Sequence, residues 1–247
     1  MSGHSHYATI HRQKELKDAQ KGRLFSKLAK EIAIAVKAGG PDANSNFKLR
    51  VVVDKAKAAN MPKENIARAI SSGTSSAEKL EEATYEGFGP FGVAVIVVCA
   101  TDNKNRTGQE IKNLFERGGG HLAGPGAVSF NFENKGFLLI AKTADPEAQI
   151  LKLIDLGVED VEETQDGIEV YVAPERISEM KKKIEEAGLT VSATELYLKP
   201  KLLQTIASAG DAKKALAFLE ALEEHEDVQK VYANLDIPQE VVSQISP

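Results

Sequence analysis

"FLLIAKTADPEAQILKLIDLGVEDVEETQDGIEVYVAPERISEMKKKIEEAGLTVSATELYLKP" occupies residues 137–200, and its change of period along the chain predicts a whole domain. The opening apolar run reads as a strand that starts at Phe137, after a turn at Asn134-Lys135-Gly136 that pairs it with an earlier strand. "DPEAQILKLIDLG" has the helical period and a glycine stop, and "VEDVEETQDGIEVYVAP" reads as a hairpin with Asp166-Gly167 at its tip. "ERISEMKKKIEEAG" is again helical, and "TVSATELYLKP" is a last strand. The order β-α-β-β-α-β is that of the ferredoxin-like fold.

Outside this stretch, "GVAVIVVCA" predicts a buried strand and "NRTGQEIKNLFERGGG" an amphipathic helix with a glycine stop. A strand over 127–133, another around 201–206, the helix "DAKKALAFLEALEEH" and the strand "VQKVYANL" complete a second β-α-β-β-α-β set. One α/β unit interrupted by another fits this order, and two α/β domains in series fit it as well. Before residue 80 the pattern is helical. "LFSKLAKEIAIAVKAGG" lays Leu24, Leu28, Ile32 and Ala35 along one stripe, and "NFKLRVVVDKAKAAN" sets Leu49, Val52, Val53 and Ala56 on one face. Asn60 suits the left-handed position after a helix, and Pro62 the first turn of "PKENIARAI". "SSGTSSAEK", residues 71–79, reads as a flexible linker. The expected architecture is α+β: a basic arm and three-helix domain over 1–79, an α/β domain over 80–136 together with 200–247, and an inserted ferredoxin-like α/β domain over 137–199.

Charge is divided between these parts. Residues 1–79 hold 15 Lys and Arg against 7 Asp and Glu, leaving 16 against 29 for the rest. A basic end on an acidic body suits a chain whose one end meets a polyanion. The longest apolar run, "VAVIVVCA", is far too short for a bilayer, and the start shows neither a signal peptide nor a transit peptide, so the expectation is a cytoplasmic protein without a membrane partner. Cys99 is the sole cysteine and lies in an apolar run, where a buried inert thiol is expected.

"GFGPFG", residues 87–92, matches the dinucleotide fingerprint letter for letter, but its glycines precede a strand instead of opening a helix, so a turn into the strand explains them. The carboxylates of "EDVEETQDGIE" lack a His or Cys partner and read as a solvated surface. His4, His6, His11 and His121 have no metal-ligand spacing, and no nucleophile, base and acid can be assembled. The chain is therefore expected to be no enzyme and to carry no cofactor. "TDNKNRTGQE", residues 101–110, brings Lys104 and Arg106 beside a helix start that suits a phosphate contact or ordinary capping by Asn105 or Thr107.

Taken together, "GHSHYATI", "DAQKGRLFSKLAKEI", "DKAKAANMPKENI", "YEGFGPFGVAVIV" and "TDNKNRT" resemble the YebC/PmpR family, which includes the mitochondrial translational activator of cytochrome c oxidase. The resemblance runs along the whole chain. It implies a helical N-terminal domain, two nested α/β domains and no catalytic activity. It also implies a nucleic-acid-binding regulator of gene expression of the DNA-binding transcriptional type. The alternatives are a ribosome-associated factor that relieves stalling at sequences such as proline runs, and a protein-interaction module acting through the acidic α/β face. By resemblance Lys14, Lys17, Lys21, Arg23, Arg50, Lys55, Lys57, Lys63 and Arg68 contact phosphates, with Lys104 and Arg106 as further candidates. The partner would be DNA or ribosomal RNA; the sequence leaves the oligomeric state open, with a monomer favoured over an oligomer.

Where this family commonly has Lys, the chain has His6 and His11, and Tyr7 replaces a tryptophan. Imidazoles titrating near pH 6.5 would restore the arm's charge below neutrality. Polyanion binding is therefore predicted to be tighter at pH 6 than at pH 8, measured by anisotropy at constant ionic strength, with no such dependence after His6→Gln and His11→Gln.

Overall fold

The structure is a computed structural model that describes residues 18–75, 80–164 and 166–245; for residues 18–21 and 23 it describes the backbone alone. Two compact units divide the chain. The first is formed by the stretches up to Ile34, from Ser75 to Glu133 and from Pro200 onward, and the second by Ala35–Thr74 and Asn134–Lys199.

Three helices come first: α1 (Asp18–Gly39), α2 (Phe47–Ala58) and α3 (Lys63–Thr74). The stripe of α1 is buried at Leu28, Ile32, Ala35 and Val36, and Gly40 leaves the helix at φ 85°. Asn46 then starts α2: its side-chain oxygen accepts from Leu49 N–H at 3.1 Å, and its amide donates to the carbonyls of Ala35 and Gly40. The three valines stay helical because Val51 and Val53 are buried, which overrides their local preference for strand. Asn60 takes the left-handed conformation, φ 59°. Helix α3 continues through Thr74, so "SSGT" is helical and not the start of a linker. Gly73 extends the buried row of Ile66 and Ala69 by one more turn.

The first unit is built on a four-stranded sheet, β1 (Glu81–Phe88), β2 (Ala94–Thr101), β3 (His121–Ala123) and β9 (Val228–Ala233), in the order β3-β1-β2-β9 with each neighbouring pair antiparallel. Helices α4 (Lys104–Arg117), α7 (Ala209–Glu223) and α8 (Gln239–Ile245) supply the rest of its core, in which Val93, Val95, Val97 and Cys99 meet Ile111, Phe115, Phe218, Leu219 and Leu222. The alternate residues Ala94, Ile96 and Ala100 are buried too, which is why β2 reads as an unbroken apolar run. Burial pushes the Cys99 thiol up to about 12, so it is inert at neutral pH.

Two expected strands take other forms here. Residues 129–131 form a 3-10 turn instead of a strand, and 201–206 contributes only β8 (Gln204–Thr205), which pairs in parallel with β10 (Leu235–Asp236) in a separate two-stranded sheet. The missing place is taken by β1, which precedes the rest in sequence. Counting β2 first, β3 second and β9 fourth, the sheet has the second-third-first-fourth order of a ferredoxin-like fold with its third strand supplied from upstream.

The second unit's sheet contains β4 (Phe132–Ile140), β5 (Asp160–Glu163), β6 (Ile168–Val172) and β7 (Val191–Pro200) in the order β5-β6-β4-β7, the ferredoxin-like arrangement in direct chain order. Helices α5 (Pro146–Asp155) and α6 (Ile177–Glu186) complete it. One face carries Leu138, Ile140, Ile168, Val170 and Val172 against Leu153, Ile177, Met180 and Ile184, with Val51 of α2 in the same cluster. Strand β4 runs unbroken through Asn134-Lys135-Gly136, so the expected turn there is not formed. A Cβ on Gly136 would lie 2.9 Å from the Ile177 side chain, so close packing accounts for that glycine. None of the described helices is long and apolar enough to cross a membrane.

In "GFGPFG" and "GGG", Gly87, Gly89, Gly118 and Gly120 are close-packed, while Gly92 and Gly119 take positive φ. A Cβ at Gly120 would stand 2.3 Å from the Phe88 carbonyl oxygen, a backbone atom that cannot yield, whereas one at Gly124 would meet nothing within 4 Å. Gly120→Ala is predicted to destabilise by about 1–3 kcal/mol, the usual range for overpacking, and Gly124→Ala to be nearly neutral. Urea unfolding of both variants checks this; equal stabilities would remove the steric account.

Candidate nucleic-acid interface

Helices α2 and α3 carry five of the expected phosphate contacts, and the structure sorts them. Arg50 is half-buried and holds the α1–α2 connection, donating from Nε to the Ala43 carbonyl at 2.9 Å and from Nη2 to that of Asn44 at 2.6 Å. Lys55 is half-buried, while Lys57 is exposed with Asp54 at 3.5 Å. An exposed pair of this kind contributes little and leaves the ammonium available to a ligand. Lys63 and Arg68 are exposed on α3, with Arg68 opposite the buried row of Ile66, Ala69 and Gly73. Lys21 and Arg23 fall in the first turns of α1; Lys14 and Lys17, like His4, His6, Tyr7 and His11, lie outside the described residues.

Lys27 and Lys30, further along α1, face inward. Lys27 Nζ donates to the Glu223 carbonyl at 2.8 Å, at the negative end of the α7 dipole. Lys30 Nζ donates to the Glu226 carbonyl and to Asp227 Oδ1, both at 3.1 Å. Asp227 is buried at 4% exposure and also accepts from Arg106 Nη2 and Thr107 Oγ1, each at 2.8 Å. Burial pushes its carboxyl up, but the hydrogen bonds from Arg106, Thr107 and Lys30 outweigh that and hold it down at about 2. Helix α4 is capped by Asn103, whose side chain accepts from Arg106 N–H, and not by Asn105 or Thr107. Thr107 instead shares its hydroxyl with Thr101 at 2.7 Å. Arg106 is thus bound to a buried carboxylate, and Lys104 to Glu81 at 2.7 Å on the surface.

Glu110, His225 and Asp227 bring possible ligand atoms within 4.8 Å of one another. Their hydrogen bonds argue against a metal. His225 Nδ1 accepts the Asp227 N–H at 3.2 Å, so in the neutral ring Nε2 carries the proton and donates to Glu110 at 3.0 Å. Arg106 and Lys30 already supply the positive charge beside these carboxylates.

A second buried polar set lies in the inserted sheet. Glu162 and Glu169 stand opposite each other across β5 and β6, and both are buried, contrary to the solvated surface expected of this acidic stretch. Lys199 Nζ bonds Glu162 at 2.8 Å and sits 3.8 Å above the Tyr171 ring, while the Tyr171 hydroxyl donates to Glu169 at 2.7 Å. Phe137, Tyr171 and Tyr197 complete this side, and burial together with Glu169 pushes the Tyr171 phenol up. Each carboxylate is matched by a donor, so the set is structural chemistry without a free acid or base. His121 lies against Phe88, with ring centroids 5.4 Å apart.

Two further anchors had no counterpart in the sequence motifs. Glu86, at 8% exposure, accepts from the N–H groups of Gly126, Val128 and Ser129, which fixes the loop after β3. Burial raises its carboxyl, and those three bonds outweigh the effect and lower it. Asn131 ties the points where the chain leaves and re-enters the first unit. Its carbonyl accepts Lys201 N–H at 2.8 Å, and its side chain both accepts from and donates to the Leu202 backbone at 2.9 Å.

Residues 5–76 match the family model of the TACO1/YebC protein N-terminal domain, and residues 80–235 that of the TACO1/YebC second and third domain. The chain is 47% identical over 241 residues to a "Probable transcriptional regulatory protein" of Geobacillus sp. (strain WCH70), covering 96% of this chain and 98% of that one. It is 45% identical over 250 residues to a protein of the same name from Dictyoglomus thermophilum, covering the whole of both. Among solved structures it resembles the "Conserved Hypothetical Protein Aq1575 from Aquifex Aeolicus", with a TM-score of 0.83, 42% identity, and 90% and 93% of the two chains covered.

The depressed Asp227 carboxyl makes a pH prediction. A folded-state pKa of about 2 against an ordinary 3.8 means stability that is present above pH 4 and lost as pH falls toward 2. Asp227→Asn should therefore cost about 1–2 kcal/mol from this source at pH 7, after discounting for partial screening. Its gap from the wild type in urea unfolding should narrow between pH 4 and pH 2.5. A gap that stayed constant over that range would rule out the charged cluster as its origin.

Proposed function

This chain belongs to the TACO1/YebC family, and we propose that it is a non-enzymatic nucleic-acid-binding regulator of gene expression, acting on transcription as the names of its relatives suggest. The observation that carries this reading is the division of charge: 15 basic against 7 acidic residues up to Lys79, and the reverse imbalance beyond. Lys57, Lys63 and Arg68 are exposed on α2 and α3, where counterion release on meeting phosphates would favour binding. With Lys14, Lys17, Lys21 and Arg23 they form the proposed docking set. Arg50, Lys27, Lys30 and Arg106 stand apart from it, since their donors are already bound to the protein.

A second reading, docking to structured RNA on the ribosome, is favoured by how the basic helices are used. Arg50 on α2 holds backbone carbonyls, and three of the four exposed cations on these helices, Lys48, Lys57 and Lys63, are lysines, with Arg68 the fourth. That pattern suits phosphate positioning more than base readout in a major groove.

Ribosome cosedimentation from a gentle lysate, run beside recovery of genomic DNA, separates the two. Wild type is compared with a Lys14, Lys17, Lys21, Arg23→Ala variant. Discrete DNA sites that the variant loses are expected for a transcriptional regulator, and ribosome association that the variant loses would establish the translational reading instead. For each neutralised phosphate contact removed, the slope of log K against log salt should flatten by about 0.9 on duplex DNA. A variant that behaves like wild type in both assays would overturn the proposal.

A further inference from the structure

Three of the five large apolar side chains most exposed among the described residues are carried by segments that are tied together at one end of the first sheet. They are Phe91 at 42% exposure, Phe130 at 69% and Leu202 at 69%. Phe88 and Ala94 are the closing pair of the β1–β2 hairpin, so Phe91 lies at its tip. Ala94 exchanges hydrogen bonds with Asn234, donating to its side chain at 2.8 Å and accepting its N–H at 3.1 Å. Asn234 donates to the Leu202 carbonyl at 3.0 Å, and Leu202 is bonded twice to the side chain of Asn131, the residue after Phe130. Four chain segments are thus tied together beneath three exposed apolar groups.

The tie is rigid, and one presented ring is strained into place. Phe91 has φ 62° and ψ 20°, a left-handed conformation that bulky residues rarely adopt, and such strain gathers at functional positions. Phe130 is carried by the loop whose N–H groups are held by the buried Glu86 carboxylate. Lysines accompany two of these groups. Lys214 Nζ lies 6.0 Å from the Phe91 ring centroid, Lys213 is exposed beside it, and exposed Lys201 precedes Leu202. Asp211 approaches Lys214 at 3.7 Å, an exposed pair that neutralises little.

We infer that this end of the sheet is a binding surface for single-stranded nucleic acid, on which Phe91 and Phe130 stack against unpaired bases while Lys201, Lys213 and Lys214 hold the adjoining phosphates. Rigid exposed aromatics among lysines are what sequence-tolerant single-strand binding requires, because every base has a stacking face. A purely apolar protein contact would have no use for three lysines at its edge. The inference rests on the nucleic-acid reading above and adds a site outside its basic helices.

The test uses the full chain and fluorescein-labelled probes: a single-stranded oligo(rA) dodecamer, an oligo(dA) dodecamer and a blunt RNA duplex. A Phe91→Ala, Phe130→Ala variant should bind the single strands about tenfold more weakly, leave duplex affinity within twofold, and keep the salt slope. Phe91→Tyr, Phe130→Tyr should restore binding, and quenching of a 2-aminopurine in the strand should appear with wild type but not with the alanine variant. The ratio of the two single-strand affinities tells RNA from DNA. Unchanged single-strand affinity in the alanine variant, or a wild type that binds no single strand, overturns the site. The Lys14, Lys17, Lys21, Arg23→Ala variant separates the two proposals, since it should weaken duplex and single strand alike and flatten the salt slope. Thermal unfolding confirms that the variants stay folded, as loss of exposed rings allows.

Discussion

A unit built from separated stretches is possible only where the chain can leave its core and return to it at nearly the same place, and Asn131 meets that condition at residues 131 and 201–202. Its carbonyl and side chain hold Lys201 and Leu202 while the intervening residues build a separate sheet. Closing a long loop is not prohibitive, because the entropy cost grows only with the logarithm of length, about 0.6 kcal/mol for each doubling. What the closure requires is satisfied backbone at the neck, where strands of two different sheets begin and end. Asn131 and Asn234 meet that requirement with side-chain amides, each of which can donate and accept at once.

The same economy governs the acidic residues. An excess of Asp and Glu beyond residue 79 suggests a coat that keeps the molecule soluble, yet Glu86, Glu162, Glu169 and Asp227 are all buried. Each has donors that compensate its desolvation: three backbone N–H groups at Glu86, Lys199 at Glu162, Tyr171 at Glu169, and Arg106, Thr107 and Lys30 at Asp227. Removing one partner from such a set would strand a charge, so these residues act as fixed joints. Asp227 is the joint that binds the basic first helix to the turn between α7 and β9.

Periodicity made the helices and the inserted sheet legible, because both are local patterns with clear stops. It failed at β1, where Glu81, Glu82 and Thr84 face outward and only Glu86 and Gly87 are buried, so neither alternation nor an apolar run marks the strand. With β1 and the three-residue β3 unmarked, 127–133 and 201–206 are read as the second and third strands of the first sheet, whereas 129–131 form a 3-10 turn and 201–206 contributes a short parallel pair. The site suffered from the opposite problem. Basic residues were easy to find, but their partners are remote: Lys30 and Asp227 lie 197 positions apart, and Arg106 and Asp227 121. No window of sequence contains both ends of such a pair.

That remoteness changes what a basic segment means. Counterions are released only by cations that give up solvent or salt for a phosphate, and a lysine already bound to a protein carboxylate does not contribute in full. Lys27, Lys30 and Arg50 belong to the basic third by composition, yet their donors reach protein carbonyls or Asp227. The charge count therefore overstates the number of phosphates this region can neutralise, while it understates the order of the scaffold behind them. A polyanion meeting Lys57, Lys63 and Arg68 would meet short helices whose ends and connection are already fixed by Asn46 and Arg50, so little ordering cost remains for the protein.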